Sequence, residues 1–228
     1  MDLCVADVAK LLNVNETTIE KWVKQGKIPS YNLNDKILFS KLEIEEWMLS
    51  RKHETTQFIK ELESEKLQKL DNQGRLQFVF YRAIFKGGVF ADIEGETKQE
   101  IIQNTMQHIA QPFGLDAQVL TDLLLDREKL MPTSVGNGMA IPHTRDLNKL
   151  PHDIVITVFP KNPIKYGALD KKPVHTLFFL FACNDKNHLN LLSKIAYLAL
   201  DKKALELLQS KPSQKELLEY IKTWESAF

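Results

Sequence analysis

The segment Gly136-Asn137-Gly138-Met139-Ala140-Ile141-Pro142-His143 constrains the fold of this 228-residue chain more than any other stretch. Gly and Asn reach left-handed backbone conformations at low cost, so Gly136, Asn137 and Gly138 predict a tight turn. The apolar run Met139-Ala140-Ile141 then reads as a short buried strand, and Pro142, which has no N–H, is expected to stop its ladder. His143 therefore stands where a strand leaves a sheet. The neighbouring sequence supplies the rest of such a sheet. Ile154 to Phe159 and Val174 to Phe181 are β-rich apolar runs long enough for central strands, and Val89 to Ile93 reads as a first strand. Helical spacing fills the intervals. One helix runs from Lys98 to Gln111 with Ile101, Ile102, Thr105 and Ile109 inward. A second is capped by Asp116, turns Val119, Leu120, Leu123 and Leu124 inward, and carries Arg127 at its C-terminal end. A third presents Leu189, Leu192, Ile195, Ala196 and Ala199, and two more lie near 201–209 and 213–226. Alternating helices and strands make an α/β domain.

The chemistry at this strand end needs company. His188 opens a helical pattern in Asn187-His188-Leu189-Asn190-Leu191-Leu192. Two imidazoles and an arginine suit a phosphoryl group, with one nitrogen as nucleophile and the other groups balancing charge. His53, His108, His152 and His175 match no motif and receive no role. No metal-ligand spacing, nucleotide-binding loop or Ser/His/Asp arrangement occurs, which points away from a self-sufficient kinase or hydrolase; no metal and no cofactor are expected. Cys4 and Cys183 are far apart and read as plain thiols.

These residues carry a resemblance. Arg127-Glu128, Gly136-Asn137-Gly138, Ala140-Ile141-Pro142-His143 and Asn187-His188-Leu189, with Phe159-Pro160, Ile164-Lys165-Tyr166-Gly167 and Lys172-Pro173-Val174 between them, resemble the enzyme IIA domains of the fructose/mannitol/nitrogen class of the bacterial phosphoenolpyruvate-dependent phosphotransferase system. The resemblance covers roughly residues 88 to 226. It implies a mixed sheet flanked by helices. It also implies that His143 accepts a phosphoryl group from the carrier protein HPr, with His188 and Arg127 as the other site residues. Gly136, Asn137 and Gly138 are expected to shape the loop beside the site and to offer backbone N–H groups to phosphate oxygens. Thr144 departs from the usual Ala or Gly after the histidine and leaves less room beside the imidazole. His143-Thr144-Arg145 is closer to the nitrogen-class pattern than to the sugar-specific ones.

Residues 1–50 form a separate pattern. Val5, Val8, Ala9, Leu11 and Leu12 repeat at helical spacing. Asn13-Val14-Asn15 breaks the run, and Ile19, Trp22 and Val23 resume it before Gly26. Two short strands around Asn34-Asp35 follow, and Ser40 caps a third helix through Leu42, Ile44 and Trp47. This order resembles the excisionase and MerR-type winged helix-turn-helix family, through Val8-Ala9-Lys10-Leu11-Leu12-Asn13-Val14, Gly26-Lys27-Ile28-Pro29 and Leu42-Glu43-Ile44-Glu45-Glu46-Trp47. Lys21, Lys24, Lys27 and Lys36 are the expected phosphate contacts, and Thr17 and Thr18 the side chains placed to reach base edges. No arginine precedes Arg51, so the commonest reader of guanine is missing. With 30 basic and 30 acidic residues, the whole chain makes no electrostatic case for nucleic acid; any basic patch is local.

Residues 51–87 read as a helical linker. Its first part, 51–73, is charged with a thin seam of Phe58, Leu62 and Leu70. Its last part is apolar nearly all round, with Leu76, Val79, Phe80, Ala83 and Ile84 on one face and Phe78, Tyr81 and Phe85 on another. Such a helix must be covered on two sides, and a second subunit is an economical cover, so a homodimer is expected. With no membrane span and no signal peptide, a cytoplasmic protein is expected. Two functions fit this organisation. One is a regulator in which phosphorylation of His143 alters DNA or partner binding. The other is a phosphocarrier that passes the group to an enzyme IIB component for sugar uptake, with the head as a protein-interaction module.

Overall fold

The computed structural model describes residues 2–12, 14–33, 36–50, 78–144 and 152–227. They belong to two compact units, Met1–Leu76 and Gln77–Phe228. The expected helical seam of Phe58, Leu62 and Leu70 lies outside the described residues, as does Leu76.

In the first unit, strand β1 (Asp2–Cys4) leads into helices α1 (Val5–Leu12) and α2 (Glu16–Lys24), then β2 (Tyr31–Leu33), β3 (Lys36–Ser40) and α3 (Lys41–Ser50). Gly26 takes the left-handed conformation (φ 63°) just past α2, as its position predicts. The two strands 31–33 and 36–40 pair antiparallel as the wing. Strand β1, which the sequence does not announce, pairs with the other side of β3, Leu3 opposite Phe39. Ser40 Oγ accepts from Glu43 N–H and caps α3. Val8, Leu12, Ile19, Trp22, Ile28, Phe39 and Ile44 are buried. Trp47 lies 6.0 Å from Trp22, ring to ring, and its indole N–H donates to the Lys27 carbonyl at 2.6 Å, satisfying the one polar atom of a largely buried side chain.

The second unit starts at α4 (Val79–Gly87) and continues with β4 (Val89–Ile93), α5 (Lys98–Ile109), a 3₁₀ turn, α6 (Ala117–Leu130), β5 (Ser134–Gly136), β6 (Met139–Ala140), β7 (Ile154–Pro160), β8 (Thr176–Phe181), α7 (Asp185–Leu198), α8 (Lys202–Gln209) and α9 (Gln214–Ser226). The sheet order is β4-β7-β8-β6-β5 and is mixed, as expected: β4 runs parallel to β7, β7 antiparallel to β8, and β8 parallel to β6. Every residue of β7 and β8 is buried, which is why both read as unbroken apolar runs. Thr97, Asp116, Asn184, Asp201 and Ser213 each accept a hydrogen bond from the N–H three residues on, a cap contributing about 1 kcal/mol per helix. Val119, expected inward on α6, is 55% exposed; the buried stripe of that helix is Leu120, Thr121, Leu124 and Glu128.

Helix α4, which the sequence places at the end of a linker, is built into this unit. Val79, Phe80, Ala83 and Ile84 are buried, and the Phe80 ring meets Phe178 of β8 at 6.1 Å and Trp224 of α9 at 6.3 Å. The helix lies so close to β7 that a Cβ on Gly87 would stand 2.2 Å from the Val155 carbonyl oxygen, so only glycine fits there. Its N-cap, Phe78, is left-handed (φ 63°) and makes no side-chain cap bond. The missing acceptor comes from the far end of the chain: the Glu225 carboxylate receives the N–H groups of Phe80 (3.0 Å) and Tyr81 (2.7 Å), and pairs with Lys194 of α7 at 2.5 Å. No helix among the described residues is long and apolar enough to cross a membrane.

Candidate phosphoryl-transfer site

His143 does lie at a strand end, but Pro142 does not end the pairing. The Pro142 carbonyl accepts the Leu180 N–H at 2.9 Å and His143 bridges Leu180 in parallel, because a proline loses only its donor and keeps its acceptor. The imidazole is buried, and its Nδ1 is 2.7 Å from the Ile141 carbonyl oxygen. A carbonyl only accepts, so Nδ1 carries the proton and the lone pair of the neutral ring is on Nε2.

His188 sits in the first turn of α7, directly after β8. Its ring centroid is 5.2 Å from that of His143, with the planes at 63°. Two features hold it there. Asn184 caps the helix through Asn187 N–H, and Asp153 receives both the Cys183 N–H (2.9 Å) and the Asn187 side-chain amide (2.7 Å). Asn187 of the motif is therefore an anchor for the helix start. The N-terminus of this 14-residue helix favours an anion near His188.

Arg127 closes α6. Its Nη1 donates to the Met131 carbonyl at 3.2 Å, while Nε and Nη2 are buried and find no partner among the described residues. Strand β5 returns antiparallel to β6 with Ser134 opposite Ala140, and the Thr133 carbonyl accepts Ile141 N–H at 2.9 Å. The Met131 carbonyl thus tethers the guanidinium two residues ahead of the Thr133 that pairs with Ile141. Burying two guanidinium nitrogens without acceptors is costly, and a bound oxyanion would remove the cost.

Gly136, Asn137 and Gly138 form the predicted turn, all three with positive φ (81°, 49° and 78°), and join β5 to β6. They are not brought to His143. The Gly138 carbonyl accepts from His175 and Thr176 at the start of β8, whereas His143 bridges Leu180 near its end. The Gly136 N–H donates to Ser134 Oγ and the Asn137 N–H to Asp170 Oδ2, so neither is available to a phosphate. The turn orders the hairpin that delivers the histidine; it is not a phosphate loop. Thr144 is buried beside the site, and Arg145 lies outside the described residues.

Beneath the site is a group that the motifs did not expose. Glu128, next to Arg127, is buried and accepts from Thr133 N–H and Oγ–H, from Tyr166 Oη–H at 2.9 Å and from Lys98 Nζ at 3.3 Å. Burial, reinforced by the Glu128 charge, holds the Tyr166 hydroxyl well above its ordinary pKa, so it remains a donor. The signal was available: Leu120, Leu124 and Glu128 recur at four-residue spacing on one stripe, and an acid there must be buried.

In the first unit, Thr17, Lys21 and Lys24 are exposed on one stripe of α2 and Lys36 is exposed on the wing. Thr18 is buried and cannot reach a base edge; Lys27 is half-buried. Glu16 and Glu20 are also exposed on α2, which dilutes its positive field.

Comparison with known proteins finds two families along the chain. The family described as "Phosphoenolpyruvate-dependent sugar phosphotransferase system, EIIA 2" matches residues 83–224, and a "Helix-turn-helix domain" family matches residues 3–52. The chain is 32% identical over 133 residues to the nitrogen regulatory protein of Klebsiella oxytoca, covering 58% of this chain and 82% of that one. It is 30% identical over 138 residues to its counterpart in Pseudomonas aeruginosa, covering 59% and 89%. The crystal structure of the nitrogen regulatory protein IIA-Ntr from Neisseria meningitidis superposes with a TM-score of 0.53 at 27% identity, covering 58% of this chain and 92% of that one. Matched over more than half of its length, the chain belongs to the EIIA 2 family of the phosphoenolpyruvate-dependent sugar phosphotransferase system, here with a helix-turn-helix domain ahead of it.

Proposed function

We propose that this protein is a cytoplasmic, phosphorelay-controlled regulator: His143 takes a phosphoryl group from phospho-HPr, and the phosphorylation state sets how the helix-turn-helix unit engages DNA. The observation that carries the reading is the bond from His143 Nδ1 to the Ile141 carbonyl, which leaves the Nε2 lone pair as the nucleophile. In the transfer, that lone pair attacks phosphorus as the bond from phosphorus to the donor's imidazole nitrogen breaks, and the electron pair leaves with the donor. The proton stays on Nδ1 and keeps donating to the Ile141 carbonyl, which stabilises the ring as it becomes cationic. Arg127 Nε and Nη2 and the start of α7 at His188 meet the equatorial oxygens. The DNA half rests on the exposed stripe of Thr17, Lys21 and Lys24. A second copy paired through the outward face of Phe78, Tyr81 and Phe85 would set two heads on one duplex.

The experiment incubates the full chain with phosphoenolpyruvate, enzyme I and HPr, and follows acid-labile phosphate. His143→Ala is expected to take none, and His188→Ala to label at altered rate; equal labelling of wild type and His143→Ala would sink the assignment. Gel retardation across a salt series tests the head. Lys21→Ala/Lys24→Ala should lower the log–log salt slope by about 0.9 per lost contact. Absence of retardation at low salt would make the head a protein-binding module.

A further inference from the structure

We infer that Glu128 is a positioning residue for the phosphoryl acceptor, acting on the His143 ring through Thr133 and Ile141; this rests on His143 as the acceptor. The route is a run of hydrogen bonds. Glu128 holds Thr133 by both its backbone N–H and its hydroxyl. The carbonyl of the same Thr133 accepts Ile141 N–H at 2.9 Å. The carbonyl of the same Ile141 accepts Nδ1–H of His143 at 2.7 Å. Each link uses the two ends of one residue, so the orientation of one peptide fixes the next. Thr133 and Ile141 are fully buried, and no solvent competes for these bonds.

The chain needs a fixed origin, and Glu128 has one. Tyr166 donates to the carboxylate oxygen that the Thr133 hydroxyl also reaches, Lys98 pairs with the other oxygen, and the Lys98 ammonium also stands 5.4 Å over the Tyr166 ring. A carboxylate buried at this depth is stable only with such a set of donors. A simple salt bridge would not need Thr133 on two atoms. The same segment, residues 131–133, offers the Met131 carbonyl that tethers Arg127. One carboxylate thus orients both the nucleophile and the group that receives the phosphoryl charge. A weakened Ile141 bond lets the proton of the neutral ring move to Nε2, which removes the nucleophilic lone pair without unfolding anything.

The test measures tautomer and rate on the full chain. Nitrogen-15 spectra of the histidine ring report which nitrogen of His143 is protonated, with no phosphoryl donor present. Glu128→Gln and Thr133→Val are each expected to populate the Nε2–H form. They should lower the turnover of labelling by phospho-HPr about 10- to 100-fold at unchanged KM. Thr133→Ser, which keeps the hydroxyl, should restore both readouts. If Glu128→Gln does not fold, Thr133→Val and Tyr166→Phe carry the test. Folded variants with the wild-type tautomer and turnover would overturn the inference. Labelling that persists in His143→Ala would overturn the acceptor assignment instead, and the ring spectra would still read the tautomer.

Discussion

Replacing Glu225 by alanine should destabilise the second unit by about 4 kcal/mol, the middle of the roughly 3–5 kcal/mol range for breaking one side of a buried ion pair. The side chain of Glu225 is 0% exposed and that of Lys194 17%. The carboxylate serves three donors: Phe80 N–H, Tyr81 N–H and the Lys194 ammonium. Alanine leaves all three without it, and α4 has no cap of its own to substitute. Urea unfolding is the assay. With Trp22 and Trp47 changed to Phe, Trp224 is the one remaining tryptophan of the three, and it reports the junction of α4 and α9 directly. For a slope of about 2 kcal/mol per molar urea, the midpoint should fall by about 2 M. Glu225→Gln keeps an acceptor for one N–H and should lose roughly half as much. Lys194→Met leaves the carboxylate its two amide donors, so the double variant should lose less than the sum of the singles. A midpoint drop under about 0.5 M for Glu225→Ala, at unchanged slope, would refute the buried-cap argument.

Arg127→Lys should lower labelling turnover by about 100-fold, because an ammonium cannot reproduce a fork held at one end by Met131; unchanged turnover measured by quenched flow would remove Arg127 from the charge-balancing role. Light scattering at micromolar concentration should give a dimer mass, reduced to monomer by Tyr81→Glu or Phe85→Glu. A wild-type monomer would show that the stacked Tyr81–Phe85 pair, with Phe85 61% exposed, is no subunit contact. Gly87→Ala should cost about 1–3 kcal/mol or more in the same urea assay, since its Cβ would meet backbone atoms of Val155 and not a side chain that can turn away; no loss would mean α4 can lift off β7.

What the sequence made legible were features whose cause is local. The hairpin turn follows from Gly136-Asn137-Gly138, the capped helix starts from Asp116, Asp201 and Ser213, and the central strands from unbroken β-branched and aromatic runs. That the His143 and His188 rings lie together was readable because each belongs to a contiguous motif. Features whose cause is distant were not. Strand β1 is three residues whose only reason to be extended is β3, thirty-odd positions later. The distance of the turn from His143 depends on the register of β6 against β8, which no local pattern encodes. Thr18 faced a choice between the groove side and the core side of α2, and one residue of helical phase decides it. Glu128 and Glu225 share a signature that periodicity does carry: each occupies the apolar stripe of its helix, the latter after Leu218 and Ile221. An acid in such a stripe should be read as the partner of a donor elsewhere in the fold.

The strand end that carries His143 is stitched on both sides, by Leu180 N–H to the Pro142 carbonyl and by Ile141 N–H to the Thr133 carbonyl. If His143 is phosphorylated as proposed, a backbone held this way should stay in place. What would change is charge: a phosphoryl group carrying about −2, set on a ring that keeps its proton and turns cationic, adds about one negative charge in all. Information then leaves the site as a field, and at physiological ionic strength a field fades over a Debye length of about 8 Å. Whatever senses the phosphorylated state must come within about that distance of Nε2, and added salt should blur the difference between the two states while leaving both folded.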